Sequence, residues 1–199
     1  MAEYIIFPYQ YMESSVKFNL ALFALLIPSL CAASGNRHET GESLLTQFGP
    51  DFSDYALYQP HTMDEHKNYT QIWRSKKRGF SDHYAINIVP ARGKSLNDFK
   101  DRQFASIERI CLSHTKTPIV NKQVNGYQMI SWRHQCEQEK LTITSIEVAI
   151  LGNDRFYHLR KLWKFPVPDE KVTEWHTLLN QTSVCDSRNQ QHPCPNSNQ

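Results

Sequence analysis

The stretch Ile119–His134, with the sequence IVNKQVNGYQMISWRH, holds the strongest fold signal in the chain. Two runs rich in β-branched and aromatic residues, Ile119–Val124 and Tyr127–His134, flank the dipeptide Asn125-Gly126. Asn-Gly between two such runs is the strongest short-range signal for a tight β-hairpin, because both residue types tolerate the backbone angles that the turn requires. The stretch therefore predicts two antiparallel strands that pair directly.

Two further hairpins are predicted on either side of this one. Towards the C-terminus, Leu141–Leu151 and Arg155–Lys164 flank a Gly-Asn-Asp turn, and the first of these runs is apolar on both faces. Towards the N-terminus, Tyr69–Trp73 and Tyr84–Val89 are separated by the charged loop RSKKRG at positions 74–79. A short strand over Tyr55–Gln59 is expected before them.

In two segments the apolar residues recur with the period of an α-helix. Ser95–Ile110 brings its apolar residues close to one face, with Ser95 as the predicted N-cap. Asp169–Leu179 does the same, and its first two acidic residues favour a helix start there. The apolar positions are Leu96, Phe99, Ile107 and Ile110 in the first helix, and Val172, Trp175 and Leu179 in the second.

The order of elements is a hairpin, a helix, two hairpins and a final helix. An antiparallel β-sheet with both helices packed on one face is the simplest way to bury these surfaces, so the predicted class is an α+β two-layer sandwich. This order, over Tyr69–Val184, resembles the PsbP/DcrB-like sandwich of exported bacterial proteins and lipoproteins. The resemblance implies a binding or accessory role more than an enzymatic one, and it implies no site residue.

Composition narrows the function classes. The 199 residues suit a single domain with a tail, and 40% hydrophobic residues suffice for one core. A formal charge of +2 creates no global field towards nucleic acid. The mean hydropathy of −0.57 argues against a polytopic membrane protein.

The apolar run Phe18–Leu30 is too short for a membrane-spanning helix and is followed by small residues, which is the plan of a signal peptide. We expect cleavage after Ala33 and translation from Met12, because the preceding eleven residues fit a leader badly. Cys31 is an alternative lipid-attachment site, although the bulky residue before it disfavours lipidation. The predicted organisation is a signal peptide at 1–33, a polar segment at 34–54, one α+β domain at 55–185 and an Asn/Gln/Pro-rich, loose tail at 186–199.

Removing the leader reduces five cysteines to four, and an even set in an exported chain predicts disulfides. Three pairings are possible. We favour Cys111–Cys136 and Cys185–Cys194, because each closes a short local loop. A zinc site is disfavoured, since the chain has no C-x-x-C pair, and no cofactor is expected.

The candidate catalytic groups are weak. His61 and His66 are five residues apart, whereas zinc peptidases place two histidines at i and i+4 on a helix. His134 and Cys136 share a strand face, but a disulfide-bonded cysteine is no nucleophile. The Ser113-His114 adjacency has nothing to support it. Acidic pairs such as Glu137 with Glu139, or Asp98 with Asp101, have the character of solvated surface residues.

Basic residues beside aromatic ones form the most specific surface feature. The first group is Trp73, Arg74, Lys76, Lys77 and Arg78, and the second is Arg160, Lys161 and Lys164. Cations beside aromatic rings bind anions or acidic partners, although a solvated hairpin tip has the same composition. Nucleic acid is not expected outside the cytoplasm, so a protein or an anionic envelope component is the expected partner.

These features predict a periplasmic or secreted, non-enzymatic binding or accessory protein that inhibits or chaperones a protein partner. Two alternatives stay open: a small periplasmic hydrolase, and an envelope component that contacts the membrane through a lipid on Cys31.

Overall fold

A computed structural model describes residues 41–46, 52–63 and 68–195 of the chain. The predicted leader, its cleavage site and Cys31 lie outside the described residues, as does His66. His61 lies within a described strand, but its side chain is not part of the description.

The chain forms ten strands and two α-helices within the described ranges, together with a 3-10 turn at Phe52–Asp54. The helices are α1 (Leu96–Glu108) and α2 (Asp169–Asn180). The strands are β1 (Glu42–Leu45), β2 (Tyr55–Met63), β3 (Tyr69–Ser75), β4 (Gly79–Pro90), β5 (Ser113–Lys116), β6 (Val120–Val124), β7 (Tyr127–Gln138), β8 (Leu141–Leu151), β9 (Arg155–Trp163) and β10 (Ser183–Asp186). No helix among these residues is both long and apolar enough to cross a membrane.

Eight strands form one antiparallel sheet in the order β2-β3-β4-β9-β8-β7-β5, and β6 also pairs with β7. The three predicted hairpins are present as β3–β4, β6–β7 and β8–β9. The β6–β7 turn has positive φ angles of 49° at Asn125 and 80° at Gly126, which explains the Asn-Gly dipeptide. The α+β class is confirmed.

The two helices cover opposite faces of this sheet, so the expected placing of both on one face is wrong. The α1 face carries Ile130, Trp132, Ala149 and Phe156, which pack with Leu96 and Phe104 of α1. The α2 face carries Ile146, Val148, Ile150 and Leu159, which pack with Val172, Trp175 and Leu179 of α2. The reason is that β7, β8 and β9 are buried on both faces, and each face needs its own cover.

Local signals set the helix positions. The Ser95 side chain accepts a hydrogen bond from the Asp98 N–H at 3.3 Å, as an N-cap does. β7 holds α2 at both ends: Arg133 Nη2 donates to Asp169 Oδ1 at 2.9 Å, and Ser131 Oγ donates to Asn180 Oδ1 at 2.9 Å.

The described parts of the segments on either side of the sheet domain make specific contacts with it. β1 pairs with β10, and the Glu42 carboxylate accepts hydrogen bonds from the N–H groups of Asp154 and Arg155, both at 3.0 Å. In the expected loose tail, Arg188 forms ion pairs with Asp154 and Asp186, and the ring of His192 lies 4.3 Å from that of Tyr127. Residues 196–199 lie outside the description.

Candidate functional site: a basic end of the sheet

The β3–β4 turn presents four cations to solvent. Arg74 ends the regular part of β3, and Lys76, Lys77 and Arg78 form the turn itself; all four are exposed. Two contacts hold the turn in place: the Lys76 N–H donates to Asp54 O at 2.8 Å, and the Arg78 N–H donates to Ser75 Oγ at 3.2 Å. These bonds fix the backbone of the hairpin turn, while the four cationic side chains stay in solvent.

Aromatic rings support two of these cations. The Arg74 guanidinium lies over the rings of Tyr58 and Phe80, at 4.8 and 5.6 Å from their centroids. Tyr58 and Phe80 contact each other edge-on at 4.6 Å. The Arg78 guanidinium lies 3.9 Å from the centroid of Phe165. These stacked arrangements restrict both guanidinium groups and leave their N–H edges available.

The second predicted basic group divides between the surface and the interior. Lys164 is exposed, and its N–H donates to Ser81 O at 2.8 Å, which places it beside the start of β4. Arg160 is half-buried on the α1 face opposite Ala85. We call Arg74, Lys76, Lys77, Arg78 and Lys164 the basic end of the sheet. In the described part of the chain, no carboxylate forms an ion pair with any of these five residues.

Lys161 is a correction to the predicted surface group, because it is fully buried on the α2 face. Its ammonium forms an ion pair with Asp82, donates to Tyr55 Oη at 2.9 Å and lies 4.6 to 4.8 Å from the ring centroids of Tyr55, Trp163 and Trp175. Burial lowers the pKa of Lys161 to about 8, against the opposing effect of Asp82.

Trp73 is also part of the interior packing and not of the loop. Its ring stacks on that of buried Tyr84 at 5.3 Å, on the α2 face. Trp73 therefore positions β3 under the turn and presents no ring beside the cations.

A buried polar row lies on the α1 face, and the sequence analysis missed most of it. His158 Nε2 and Glu147 Oε2 are 2.5 Å apart, Ser145 Oγ donates to Glu147 Oε1 at 2.9 Å, and Ser145 Oγ lies 2.6 Å from His134 Nε2. His114 adjoins its end, with its ring centroid 5.6 Å from that of His134. We call these five residues the buried histidine row.

Burial and the neighbouring polar groups have opposite effects on the pKa values of the residues in this row. Burial favours the neutral form of Glu147, but the His158 hydrogen bond and the nearby Arg160 outweigh it and lower the pKa of Glu147. Burial lowers the pKa of His134 and of His114, although Glu147 and Glu108 respectively act against it. At pH 7 the row therefore holds an ionised Glu147 beside neutral His134 and His114.

The order of groups in the row differs from that of a serine nucleophile. In a Ser-His-acid triad the carboxylate orients the histidine that faces the serine. Here the Glu147 carboxylate accepts a hydrogen bond from Ser145 itself. The histidine bound to this carboxylate is His158, which contacts its other oxygen and does not face the serine. Ser145 is also completely buried. The arrangement joins three neighbouring strands under α1.

The other candidate catalytic and metal-binding residues of the sequence analysis lie in different parts of the fold. The structure contains both disulfides in the favoured pairing, Cys111–Cys136 and Cys185–Cys194, so Cys136 presents no thiolate to His134. Glu137 accepts hydrogen bonds from Gln135 and Thr142, which lower its pKa. Across the described ranges, no three His, Cys, Asp or Glu side chains converge as metal ligands would.

The fold is similar to two solved structures. The solution structure of cyanobacterial PsbP (CyanoP) from Synechocystis sp. PCC 6803 matches 75% of this chain and 96% of its own, with 9% identity and a TM-score of 0.46. The crystal structure of LpqN, involved in cell envelope biogenesis of Mycobacterium tuberculosis, matches 75% and 87%, with 9% identity and a TM-score of 0.38. No protein-family profile and no curated protein sequence matches the chain. The order of elements predicted a resemblance to the PsbP/DcrB-like sandwich, and a PsbP protein is one of these two matches.

Proposed function

We propose that this chain is an exported accessory protein that holds an acidic protein partner at the basic end of the sheet. The observation that carries the proposal is the clustering of five exposed cations, Arg74, Lys76, Lys77, Arg78 and Lys164, none of which forms an ion pair with a carboxylate among the described residues. Clustered and without a carboxylate partner, these cations produce a local positive potential that attracts a complementary surface.

The supporting rings make this end suitable for protein recognition. Arg74 and Arg78 are held over Tyr58, Phe80 and Phe165, so less side-chain entropy is lost when they bind. Phe80 is 39% exposed and adds apolar contact area beside the charges. Arginine and aromatic residues are the types that dominate binding energy at protein interfaces.

Export is the second element of the proposal. Two disulfides form and persist in oxidising compartments, and the chain carries both. This supports a periplasmic or secreted location, in which proteins and anionic envelope components, and not nucleic acids, are the available partners.

An affinity capture tests the proposal. The mature wild-type protein is compared with a variant that carries Ala at Arg74, Lys76, Lys77 and Arg78, and with a matched control that carries Ala at four other exposed cations, Arg92, Lys94, Arg102 and Arg109. Both variants lose the same formal charge. We expect the first variant to recover an acidic envelope protein at least about tenfold less well, and the control to recover it like wild type.

Two results would contradict the proposal. Equal recovery by all three proteins would remove the basic end as a binding surface. Binding of wild type to vesicles of anionic phospholipid, with no acidic protein captured, would assign this end to lipid headgroups instead. For a protein partner, recovery should also fall when the salt concentration rises from about 0.05 to 0.5 M, because salt screens exposed charges.

A further inference from the structure

We propose that the buried histidine row is a pH sensor that loosens α1 from the sheet as the pH falls through the ordinary titration range of histidine. This inference is independent of the proposed function. It rests on the hydrogen-bond directions within the row, on the groups that surround it, and on the way α1 covers it.

The hydrogen bonds leave His134 with one buried site for an additional proton. The single hydroxyl proton of Ser145 is donated to Glu147, so His134 Nε2 must donate to Ser145 Oγ. The remaining nitrogen, Nδ1, is buried and has no hydrogen-bond partner in the described residues. A proton there would create a buried positive charge without an acceptor, which is strongly unfavourable in this position.

His114 adds a second group of the same kind. Its Nε2 is buried without a partner in the described part of the chain, and its Nδ1 lies 3.9 Å from Glu108 Oε1 on α1. Because its ring lies 5.6 Å from that of His134, protonation of both would bring two like charges together under the helix.

Each element that packs against the row contributes a charged or titratable group near it. Lys116 on β5 and Arg160 on β9 disfavour additional positive charge, whereas Glu147 on β8 and Glu108 on α1 favour it. His158 on β9 donates to Glu147, and His83 on β4, whose pKa burial lowers to about 4, lies farther along the same face. The two carboxylates do not overcome burial, since the pKa of His114 and that of His134 are both lowered.

Of the two helices, α1 has the fewer buried residues, so it is the helix that can move away from the sheet. Phe99 packs against the ring of His158 at 4.8 Å, and Phe104 lies 6.2 Å from that of His114. Leu96 and Phe104 are the only buried residues of α1, and each is still 8% exposed, whereas α2 buries Val172, Trp175 and Leu179. The Cys111–Cys136 disulfide ties the chain just after α1 to β7, so the C-terminal end of the helix stays attached to the sheet when α1 loosens.

The direction of the effect follows from linkage. A histidine whose folded pKa is depressed takes up its proton in an opened state first, from about pH 6.5 downwards. The opened state is therefore favoured progressively as the pH falls, by up to about tenfold per pH unit for each such histidine.

Hydrogen exchange of the full mature protein at pH 7 and pH 5 tests this inference. After correction for intrinsic exchange rates, we expect the opening of amides in α1 to increase at least about tenfold at pH 5, and the opening of amides in α2 to change much less. The variant with Gln at His114 and His134 should lose most of this increase. His176→Gln, which removes a half-buried histidine from α2, is the matched control and should keep it.

Three results would overturn the inference: equal opening of α1 at both pH values, equal increases in α1 and α2, or a full increase in the double variant. If the double variant does not fold, His114→Gln alone serves, because this position is the less buried of the two. It should reduce the increase in α1 severalfold, and an unchanged increase would overturn the inference as well.

Discussion

Lys161 and Glu147 are two charged side chains that are buried almost completely, on opposite faces of one sheet. Each is kept charged by a partner: Asp82 for Lys161, and His158 with Arg160 for Glu147. Burial of an unpaired charge costs several kcal/mol, so the partners determine whether these positions are tolerated. The aromatic rings of Tyr55, Trp163 and Trp175 add cation–π attraction around Lys161.

Asp82→Asn should therefore destabilise the protein by about 3 kcal/mol at pH 7, because it leaves the Lys161 ammonium buried without its counterion. Urea unfolding of wild type and variant measures the difference. The matched control is Asp101→Asn, which breaks only the surface ion pair with Lys100 and should change stability by less than about 0.5 kcal/mol. A loss of under 1 kcal/mol in Asp82→Asn would show that the aromatic rings alone accommodate the charge.

The residue scale also shows what the sequence could and could not predict. Arg160 and Lys161 are neighbours on β9, and strand geometry sends neighbouring side chains to opposite faces, so they could never have formed one surface group. The alternation of side chains along the strand could thus have assigned Arg160 and Lys161 to different faces. It could not have shown which of the two faces buries its lysine or arginine. Glu147 carried a weak signal, since it is a single acid within the apolar run of β8. Its partners on β7 and β9 could not be named without the register.

At the level of the elements, a disulfide ties the chain just after α1 to β7, and a second one ties β10 to the tail. The Cys111–Cys136 disulfide joins positions 25 residues apart, and Cys185–Cys194 joins positions 9 apart. In the chain-entropy description, the longer loop stabilises by about 3.5 kcal/mol and the shorter one by about 2.6 kcal/mol.

Replacing Cys111 and Cys136 by Ala should accordingly cost more stability than replacing Cys185 and Cys194, and should also raise hydrogen exchange in α1 selectively. Urea unfolding and exchange at pH 7 measure both effects. A larger loss for the Cys185/Cys194 variant would indicate that β1 and β10 depend on their disulfide more than α1 does.

Element positions were largely predictable where the signal is local. The Asn125-Gly126 turn and the Ser95 N-cap are set by a few neighbouring residues. The pairing of β1 with β10 joins segments from the two ends of the domain and has no local signal. The placing of α1 and α2 on opposite faces depends on the total burial of β7 to β9, which the apolar pattern indicated but the two-layer prediction did not use.

For the whole molecule, the pKa shifts divide the pH scale into three regions. Below about pH 6.5 the depressed pKa values of His83, His114 and His134 reduce stability as the pH falls. Between about pH 8 and 10.5 Lys161 acts in the opposite sense to a paired lysine. Its folded pKa is lower than its unfolded one, so its contribution to stability rises with pH. Above pH 10 the ionisation of the tyrosine phenols has the largest effect on stability.

Among the described residues, burial raises the pKa of five tyrosines above the ordinary value of 10.0: Tyr55, Tyr69, Tyr84, Tyr127 and Tyr157. A group whose folded pKa is raised contributes stability that is fully present below its unfolded pKa and is lost as the pH rises above it. The free energy of unfolding should therefore fall steeply above pH 10. This slope should be smaller in Tyr157→Phe, which removes one of the five phenols. Brief urea titrations at pH 9, 10 and 11, with tyrosinate absorbance recorded in parallel, measure this. Ionisation of these phenols near pH 10 in the folded protein would contradict their burial, because the phenolate would then be solvated without unfolding.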